Sequence, residues 1–310
     1  MTKNLNFESI PVMLTPLKSN GSVDFDGLAQ LTEFYINTGS TGLFTNCLSG
    51  EMFELSEDER LEVTKAVVDQ VNGRQPVVAT GTFGYDQEKH IDFIKKINDT
   101  GASGVIINSN QLAYESQTDD EWKSNADKII KGTDGIDLGV YECPVPYKRL
   151  LTPEVTKWLG ETGRFKFVKD TSCDLEAIKL KLKAVEGTPL GIYNANIATG
   201  LSSIKAGAKG FASTSSNFYP EFIKYFSEST NLESKEVNKL NAFITVFDTL
   251  IHVCYPVSAK YFLKKRGMNI DFFTRGKVDS FTHQDYVKFD QLFYVFEALA
   301  DELGIEVYKW

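Results

Sequence analysis

Residues 38–44 read TGSTGLF, and the pattern recurs in the 310-residue chain as TGASGVI at residues 100–106 and AGAKGFA at residues 206–212. Each copy follows an amphipathic segment and precedes a short apolar run. The first glycine of each copy suits the position just after a helix, where the backbone needs a positive φ, and the second suits a tight entry into a strand. A repeated helix–glycine–strand joint indicates a repeated β/α unit.

Eight apolar runs extend this pattern and predict eight strands. Several are apolar at consecutive positions, as in GVII at residues 104–107, which is typical of parallel strands buried on both faces. We expect the strands to begin near Ile10, Gly42, Pro76, Gly104, Leu138, Phe165, Leu190 and Gly210. The alternation of strands and helices favours an α/β fold of the (β/α)8 TIM-barrel type, and an open doubly wound sheet remains the alternative.

Helix starts are marked between these runs. Residues 56–59 (SEDE) and 118–121 (TDDE) match the capping box, and Thr152 followed by Pro153 places a cap before a proline in the first turn. We predict a barrel over residues 1–228 and a C-terminal helical extension over residues 229–310, packed on the barrel as one structural unit. Aromatic residues recur at helical spacing in the extension and indicate core or subunit packing: Phe243, Phe247, Phe289, Phe293 and Phe296.

Composition narrows the classes of function. The formal charge is −9 and no basic run occurs, which argues against binding to nucleic acid or to a membrane surface. The N-terminal residues (MTKNLNFESIPVML) show no leader pattern and no stretch is apolar enough to span a membrane, so we predict a cytoplasmic protein. No metal-ligand spacing or nucleotide-binding glycine motif occurs, so we expect no metal and no cofactor, and we expect His90 on a helix surface. The isolated cysteines indicate reduced thiols: Cys47, Cys143, Cys173 and Cys254.

The run FKFVKDT at residues 165–171 ends a predicted strand on Lys169. Side chains alternate along a strand, so Phe165, Phe167 and Lys169 share a face, with two phenylalanines beneath the amine. Chemistry in a barrel of this type lies at the C-terminal strand ends, and an apolar setting lowers the pKa of a lysine toward that of a nucleophilic amine. A desolvated lysine is the usual means of forming a Schiff base with a carbonyl. The alternative is a lysine that is solvated or paired with Asp170.

Two further segments fall at strand ends. Tyr141 ends the preceding strand, and its phenol can relay protons to and from a substrate oxygen unless its ring simply fills the barrel core. Residues 45–51 (TNCLSGE) follow the second strand, and their small side chains let backbone N–H groups approach an anion such as a carboxylate. An ordinary turn is the alternative for this loop.

In order and spacing these segments resemble the dihydrodipicolinate synthase/N-acetylneuraminate lyase family of pyruvate-dependent class I aldolases. The likeness runs from residue 11 to the C-terminal helices. It is carried by PVMLTP at residues 11–16, SGE at 49–51, YECP at 141–144 and FVKDT at 167–171.

The resemblance implies a role for each matching residue. Lys169 would form the Schiff base, and Tyr141 would relay protons. Leu48 and Ser49 would hold the pyruvate carboxylate through their backbone, although Leu48 lacks the hydroxyl that the family has there. Ala212 would lie beside the pyruvate. The positions that line the second substrate's site in the lyases match Thr171 and Thr214.

Several departures from the family pattern narrow the substrate. Pro146 stands where the synthases place an arginine for the carboxylate of their semialdehyde, and Lys148 or Arg149 is the possible substitute. Tyr114 is displaced from the tyrosine that the synthases borrow across a subunit interface. Residues 197–198 (IA) replace an acidic pair of the sialic-acid lyases. An aldolase or dehydratase for another 2-oxo acid therefore fits better than either of these two enzymes.

We therefore predict a Schiff-base-forming aldolase or lyase that makes or breaks a C–C bond between pyruvate, or a related 2-oxo acid, and an aldehyde. The alternatives are a 2-keto-3-deoxy sugar-acid dehydratase, 4-hydroxy-tetrahydrodipicolinate synthase and, from another class, a non-catalytic 2-oxo-acid sensor. The expected partners are the small-molecule 2-oxo acid and aldehyde, with no nucleic acid and no membrane. The resemblance also implies a homo-oligomer, either a tetramer or a dimer.

Overall fold

The computed structural model describes residues 7–310, so the prediction of no leader pattern falls partly on residues 1–6, which lie outside the described part. The chain forms two compact units. The first consists of residues 7–75 together with Ser213–Trp310, and the second is Pro76–Ala212. Within residues 7–310, no helix has the length and apolar character needed to cross a membrane.

Strands and helices alternate along the chain, and each strand begins within two residues of its predicted position. The strands are β1 (Glu8–Ser9), β2 (Leu43–Thr45), β3 (Val77–Thr80), β4 (Gly104–Asn108), β5 (Leu138–Tyr141), β6 (Phe165–Asp170), β7 (Gly191–Asn194) and β8 (Gly210–Phe211). The helices that follow them are α1 (Phe25–Asn37), α2 (Glu57–Val71), α3 (Gln87–Asp99), α4 (Asp119–Gly132), α5 (Pro153–Glu161), α6 (Leu175–Ala184), α7 (Gly200–Lys205) and α8 (Pro220–Glu228). The C-terminal helices are α9 (Lys235–Ile251), α10 (Val257–Lys265) and α11 (His283–Leu303). This order confirms the predicted β/α alternation and the helical C-terminal segment.

The repeated glycine motif ends helices as predicted. Gly39, Gly101 and Gly207 follow α1, α3 and α7 with φ values of 92°, 92° and 108°. Glycine adopts such values without the steric cost that a Cβ atom would bring, which explains the recurrence of the motif. Ser56 and Thr118 cap α2 and α4 in the predicted capping boxes.

The second unit is built on six parallel strands. Consecutive strands from β3 to β8 are hydrogen-bonded neighbours in chain order. Every residue of β4 is buried, in agreement with its continuously apolar sequence. Since all six strands point the same way, their C-terminal ends lie along one edge of this sheet.

The first unit packs its helices through aromatic rings. The ring centroids of Phe222 and Phe296 are 5.0 Å apart, and those of Phe222 and Phe243 are 5.5 Å apart. Phe289 and Phe296 have no exposed surface. The prediction of core packing is confirmed for Phe243, Phe289 and Phe296, whereas Phe247 and Phe293 are half-buried.

The prediction of a surface position for His90 is wrong. His90 lies on α3 with 1% of its surface exposed, and its Nε2 atom is 3.0 Å from the Gly84 carbonyl oxygen. It shares the buried face of α3 with Phe93, Ile94 and Ile97, which follow it at the spacing of an amphipathic helix. Burial lowers the pKa of His90.

This buried histidine predicts a pH dependence of stability. Because the pKa of His90 in the folded protein lies below its ordinary value of 6.5, the unfolded chain takes up the proton first as the pH falls. The stability that neutral His90 contributes is complete above its unfolded pKa and is lost as the pH falls toward its folded pKa. In urea titrations from about pH 7 to about pH 5, the His90→Gln variant should show a shallower loss of unfolding free energy than the wild type. His283→Gln, at an exposed histidine of α11, should keep the wild-type slope. Equal slopes for wild type and His90→Gln would contradict the assignment.

A buried ion triad joins the ends of β5 and β6 to α6. The Lys181 Nζ atom lies 2.5 Å from Glu142 Oε1 and 2.6 Å from Asp170 Oδ2, and the three side chains are at most 2% exposed. Burial by itself would lower the pKa of Lys181, but the two carboxylates raise it, so the ammonium is retained. Glu142 also accepts hydrogen bonds from the backbone N–H groups of Leu151 and Thr171, each at 2.8 Å.

Removing the ammonium should destabilise the fold strongly. Lys181→Met leaves two carboxylates buried without their cation, and we expect it to lower the free energy of unfolding by about 3–5 kcal/mol in urea titrations followed by circular dichroism. The control is Lys179→Met on the same helix, whose exposed ammonium pairs with Glu176 at 2.8 Å and should cost less than about 1 kcal/mol. Similar losses for the two variants would show that the triad does not stabilise the unit.

Candidate active site

Lys169 and Tyr141 lie side by side at the ends of neighbouring strands in the second unit. The register of β5 and β6 pairs Tyr141 with Lys169. The Lys169 Nζ atom is 4.4 Å from the centroid of the Tyr141 ring, and the two residues are 5% and 3% exposed. The two residues predicted to be catalytic are therefore brought into direct contact.

The surroundings of Lys169 on the sheet are aromatic. Phe165 and Phe167 precede it at alternate positions of β6 and are buried, whereas Lys166 between them is exposed. On the other side, β7 pairs Tyr193 with Lys169, and the Tyr193 ring lies 4.4 Å from the ring of Phe167. Aromatic residues therefore flank Lys169 both along β6 and on the neighbouring strand β7.

The sequence also allowed Lys169 to form an ion pair with Asp170. The carboxylate oxygens of Asp170 instead have other partners. Its Oδ1 atom accepts hydrogen bonds from the backbone N–H and the hydroxyl of Ser172, and its Oδ2 atom binds Lys181. Glu142 and Asp170 directly follow Tyr141 and Lys169 in sequence, so the ion triad fixes the backbone on which both side chains stand. Sequence reasoning missed Lys181, because a lysine on an amphipathic helix reads as an exposed residue.

Thr171 and Ala212, the other predicted site residues of the second unit, form hydrogen bonds to the ends of neighbouring strands. The Thr171 hydroxyl donates to the Glu142 carbonyl oxygen at 2.7 Å, and its N–H donates to the Glu142 carboxylate. Ala212 follows β8, is fully buried, and donates its N–H to the Asn194 carbonyl oxygen at 3.0 Å. Thr171 therefore ties the end of β6 to the end of β5.

The two basic residues after β5 have different partners. Arg149 binds the carbonyl oxygens of Tyr114 and Gln117, and it pairs with Asp119 at 2.9 Å. Lys148 is exposed, and its Nζ atom donates to the Thr171 carbonyl oxygen at 2.9 Å. Arg149 thus holds the loop after β4, while the ammonium of Lys148 lies at the end of the lysine-bearing strand β6.

The displaced Tyr114 lies on the surface of the second unit. It is 55% exposed, and its ring stacks on Tyr85 with centroids 4.4 Å apart. The neighbouring Tyr147 donates its hydroxyl to the Ala113 carbonyl oxygen. These contacts gather three tyrosines around the loops that follow β3, β4 and β5.

The predicted carboxylate-binding loop lies in the first unit and forms a hydrogen-bonded turn. Leu48–Gly50 forms a single 3₁₀ turn closed by hydrogen bonds from the Gly50 and Glu51 N–H groups to the carbonyl oxygens of Cys47 and Leu48, at 3.0 and 3.1 Å. These bonds do not use the N–H groups of Leu48 and Ser49.

Glu51 holds this turn in place from its end. It adopts a left-handed conformation with φ 58°. Its buried carboxylate pairs with Lys260 at 2.8 Å and accepts hydrogen bonds from the N–H groups of Arg275 and Gly276 at 2.7 and 3.1 Å. Burial raises the pKa of Glu51, but the ammonium of Lys260 and the hydrogen bonds from Thr274 and Gly276 outweigh it and lower the pKa, so the carboxylate stays ionised.

Thr214, also in the first unit, hydrogen-bonds a histidine that sequence reasoning had not connected with it. The Thr214 hydroxyl is 3.0 Å from His252 Nε2, and His252 Nδ1 is 2.7 Å from the Asp248 carbonyl oxygen. Because a carbonyl oxygen only accepts, Nδ1 carries the proton in the neutral ring and Nε2 accepts from the threonine. The sequence contains no local signal for this hydrogen bond, because 38 residues separate Thr214 from His252.

Comparison with known proteins places the chain in a family. The model of the family described as dihydrodipicolinate synthetase family matches residues 6–293. The 4-hydroxy-tetrahydrodipicolinate synthase of Bacillus subtilis (strain 168) is 25% identical over 274 residues, which cover 86% of this chain and 91% of that protein.

Solved structures show the same fold. Dihydrodipicolinate synthase DapA-2 from Bacillus anthracis superposes with a TM-score of 0.84 at 21% identity, over 93% of this chain and 98% of that one. The chloride inhibited dihydrodipicolinate synthase from Acinetobacter baumannii complexed with pyruvate gives 0.80 at 22% identity, over 97% and 100%. These likenesses confirm the predicted TIM-barrel fold class with its C-terminal helices. Since the family model matches nearly the whole chain, this protein belongs to the dihydrodipicolinate synthetase family of aldolase-type lyases.

Proposed function

We propose that this enzyme forms a Schiff base between Lys169 and pyruvate or a related 2-oxo acid, and makes or breaks a C–C bond to an aldehyde. One observation carries the proposal: the buried Lys169 amine lies 4.4 Å from the centroid of the Tyr141 ring at the ends of adjacent strands. An amine and a phenol in contact supply a nucleophile and a proton carrier for the same carbonyl.

The reaction begins when the Lys169 amine attacks the ketone carbon. A C–N bond forms, the ketone oxygen takes a proton, and the resulting carbinolamine loses water to give a protonated imine. In the cleavage direction the imine accepts the electron pair of the breaking C–C bond, and the aldehyde leaves as an enamine forms. Protonation of the enamine carbon and hydrolysis then release the 2-oxo acid and restore the amine. Tyr141 delivers and removes the protons at the oxygen atoms.

The substrate-binding roles of the other site residues are predictions from the family resemblance. The N–H groups of Leu48 and Ser49, which the bonds of their turn do not use, would hold the carboxylate of the 2-oxo acid. Ala212 would line the position of the pyruvate, and Thr171 and Thr214 that of the second substrate. The curated relatives named 4-hydroxy-tetrahydrodipicolinate synthase support that reaction as a second candidate.

Assembly and location are proposed on the family resemblance and composition alone. We propose a homotetramer or a dimer that resides in the cytoplasm. Light scattering on the purified full chain distinguishes these assemblies from a monomer.

The first prediction of the proposed function concerns the nucleophile. Incubation with pyruvate followed by borohydride should give a reduced one-to-one adduct in the intact mass spectrum, because the imine is trapped as a secondary amine. The Lys169→Ala variant should give no adduct. Lys166→Ala, at the exposed lysine of the same strand, should be labelled like the wild type. An adduct that survives the loss of Lys169 would refute the proposed nucleophile.

The second prediction concerns the acceptor. The Lys148 ammonium, held by the Thr171 carbonyl oxygen at 2.9 Å, has two further N–H groups for an anion. Lys148→Gln should raise KM by about tenfold for an acceptor aldehyde that bears a carboxylate, the loss expected for one hydrogen bond to a charged group. A neutral acceptor such as glyceraldehyde should be affected little.

The control for this prediction is Lys166→Gln. Its ammonium is also exposed and also donates to a backbone carbonyl oxygen, that of Gly163 at 2.8 Å, but at the opposite end of β6. It should leave KM unchanged for both aldehydes. An equal effect of Lys148→Gln on charged and neutral acceptors would exclude the recognition of an anionic group by Lys148.

A further inference from the structure

An irregular segment of the first unit packs against the predicted carboxylate-binding turn. Residues 266–282, between α10 and α11, contain no helix or strand. Segments of this length without secondary structure are uncommon in compact domains and usually serve a function. Within the segment, residues 273–276, the strap, contact Glu51, which ends the turn.

The strap supplies most of the hydrogen bonds to the Glu51 carboxylate. Three of its groups donate to this carboxylate: the Arg275 N–H at 2.7 Å, the Gly276 N–H at 3.1 Å and the Thr274 hydroxyl. Lys260, the ion-pair partner of Glu51, also donates to the Phe273 carbonyl oxygen at 2.7 Å. The side chains of Lys260 and Glu51 are 0% and 4% exposed, so water cannot readily replace these donors. The position of Glu51 therefore depends on the strap.

The side chain of Arg275 anchors the strap to three other segments of the unit. Its guanidinium forms a two-point ion pair with Glu59, with distances of 2.7 Å from Nη1 and 2.5 Å from Nη2. Nε donates to the Gly21 carbonyl oxygen at 2.9 Å, and Nη1 donates to the Glu54 carbonyl oxygen at 3.0 Å. These bonds engage four of the five N–H groups of the guanidinium. Arg275 is therefore committed to contacts within the protein.

Glu59 is a fixed partner for this anchor. The hydrogen bonds from Arg275 lower the pKa of Glu59 to about 2, although burial opposes the shift. Its carboxylate is consequently ionised at neutral pH. Glu59 also accepts a hydrogen bond from the Ser56 N–H at 2.9 Å in the capping box of α2. The anchor thus ties the strap to the first turn of a helix.

The turn is also held at the residue before Glu51. The hydroxyl of the buried Thr15 donates to the Gly50 carbonyl oxygen at 2.8 Å. The last two residues of the turn are therefore fixed, one by Thr15 and the other through the strap. The N–H groups of Leu48 and Ser49, which the bonds of the turn do not use, precede these two fixed points directly. Donors that are ordered before a ligand arrives lower the entropy cost of binding.

We propose that Arg275 is a positioning residue, which fixes the strap on Glu51 and thereby presets the N–H groups of the turn for the carboxylate of the 2-oxo acid. This inference rests on the proposed function, because that function assigns the carboxylate to Leu48 and Ser49. It gives a role to an arginine that lies 224 residues after Glu51 in the sequence and that the imine chemistry itself does not require.

The test compares Arg275→Gln with the wild type in two assays. The first measures the pyruvate concentration that half-saturates borohydride trapping at Lys169. The second is calorimetric binding of lactate, which keeps the carboxylate but has no ketone with which to form an imine. Arg275→Gln should raise both constants about tenfold, because ordering the turn then adds to the cost of binding. The adduct yield at saturating pyruvate should equal that of the wild type.

A ketone without a carboxylate separates this role from a general effect on structure. Trapping of hydroxyacetone should half-saturate at the same concentration in Arg275→Gln and in the wild type, because the turn then has no carboxylate to bind. Equal losses for hydroxyacetone and pyruvate would overturn the positioning role.

Matched variants identify the two-point ion pair as the cause. Arg275→Lys keeps the charge but cannot form the pair, so it should lose affinity as Arg275→Gln does. Glu59→Gln can still cap α2 but lacks the charge. It should weaken binding, and the double variant with Arg275→Gln should be no weaker than Arg275→Gln alone. The control is Arg74→Gln, which breaks a similar two-point pair with Glu33 at 2.9 and 2.5 Å in the same unit and should leave both constants unchanged.

The outcomes distinguish this inference from the proposed function. If the wild type forms the Lys169 adduct but Arg275→Gln binds pyruvate and lactate normally, the positioning role is overturned and the imine chemistry stands. Wild-type affinity in Arg275→Lys would also overturn it, because charge alone would then suffice. If the wild type forms no adduct but lactate binding depends on Arg275 and Glu59 together, the proposed function fails and the preset turn remains.

Discussion

The ammonium of Lys181 is buried between two carboxylates, and each carboxylate directly follows a predicted catalytic residue. Side chains alternate across a strand, so Glu142 and Asp170 lie on the face of the sheet opposite to Tyr141 and Lys169. The ion triad can therefore fix the ends of β5 and β6 without entering the reaction. It links the ends of β5 and β6, the two strands whose register pairs Tyr141 with Lys169.

In the first unit, a buried ion pair likewise fixes the backbone of the 3₁₀ turn. Glu51 ends the turn in a left-handed conformation, and Lys260 and two backbone N–H groups hold its carboxylate. Buried ion pairs of this kind add little net stability compared with apolar packing, but the loss of one partner is costly. They consequently favour one backbone geometry, which is what a set of fixed hydrogen-bond donors requires.

Much of the fold followed from local sequence signals. The glycines after α1, α3 and α7, the capping boxes and the apolar runs depend on contacts within a few residues, and the structure reproduces them. Lys169 and Tyr141 were also accessible, because strand ends and side-chain alternation can be read from the sequence. His90 was misplaced, since a histidine at an apolar position of an amphipathic helix was read by its polarity instead of by its spacing from Phe93, Ile94 and Ile97. Lys181 was missed for a different reason: its carboxylate partner Glu142 lies 39 residues away in the sequence.

The account depends centrally on an imine at Lys169 that becomes an enamine. Proton exchange at the methyl group of pyruvate measures this directly, because an enamine takes up solvent hydrogen at that carbon. In D₂O, proton NMR should show that the enzyme removes the methyl signal of pyruvate far faster than buffer does. Lys169→Met, which keeps an unbranched side chain but has no amine, should not accelerate this loss. Exchange at the buffer rate in the wild type, or undiminished exchange in Lys169→Met, would contradict the account.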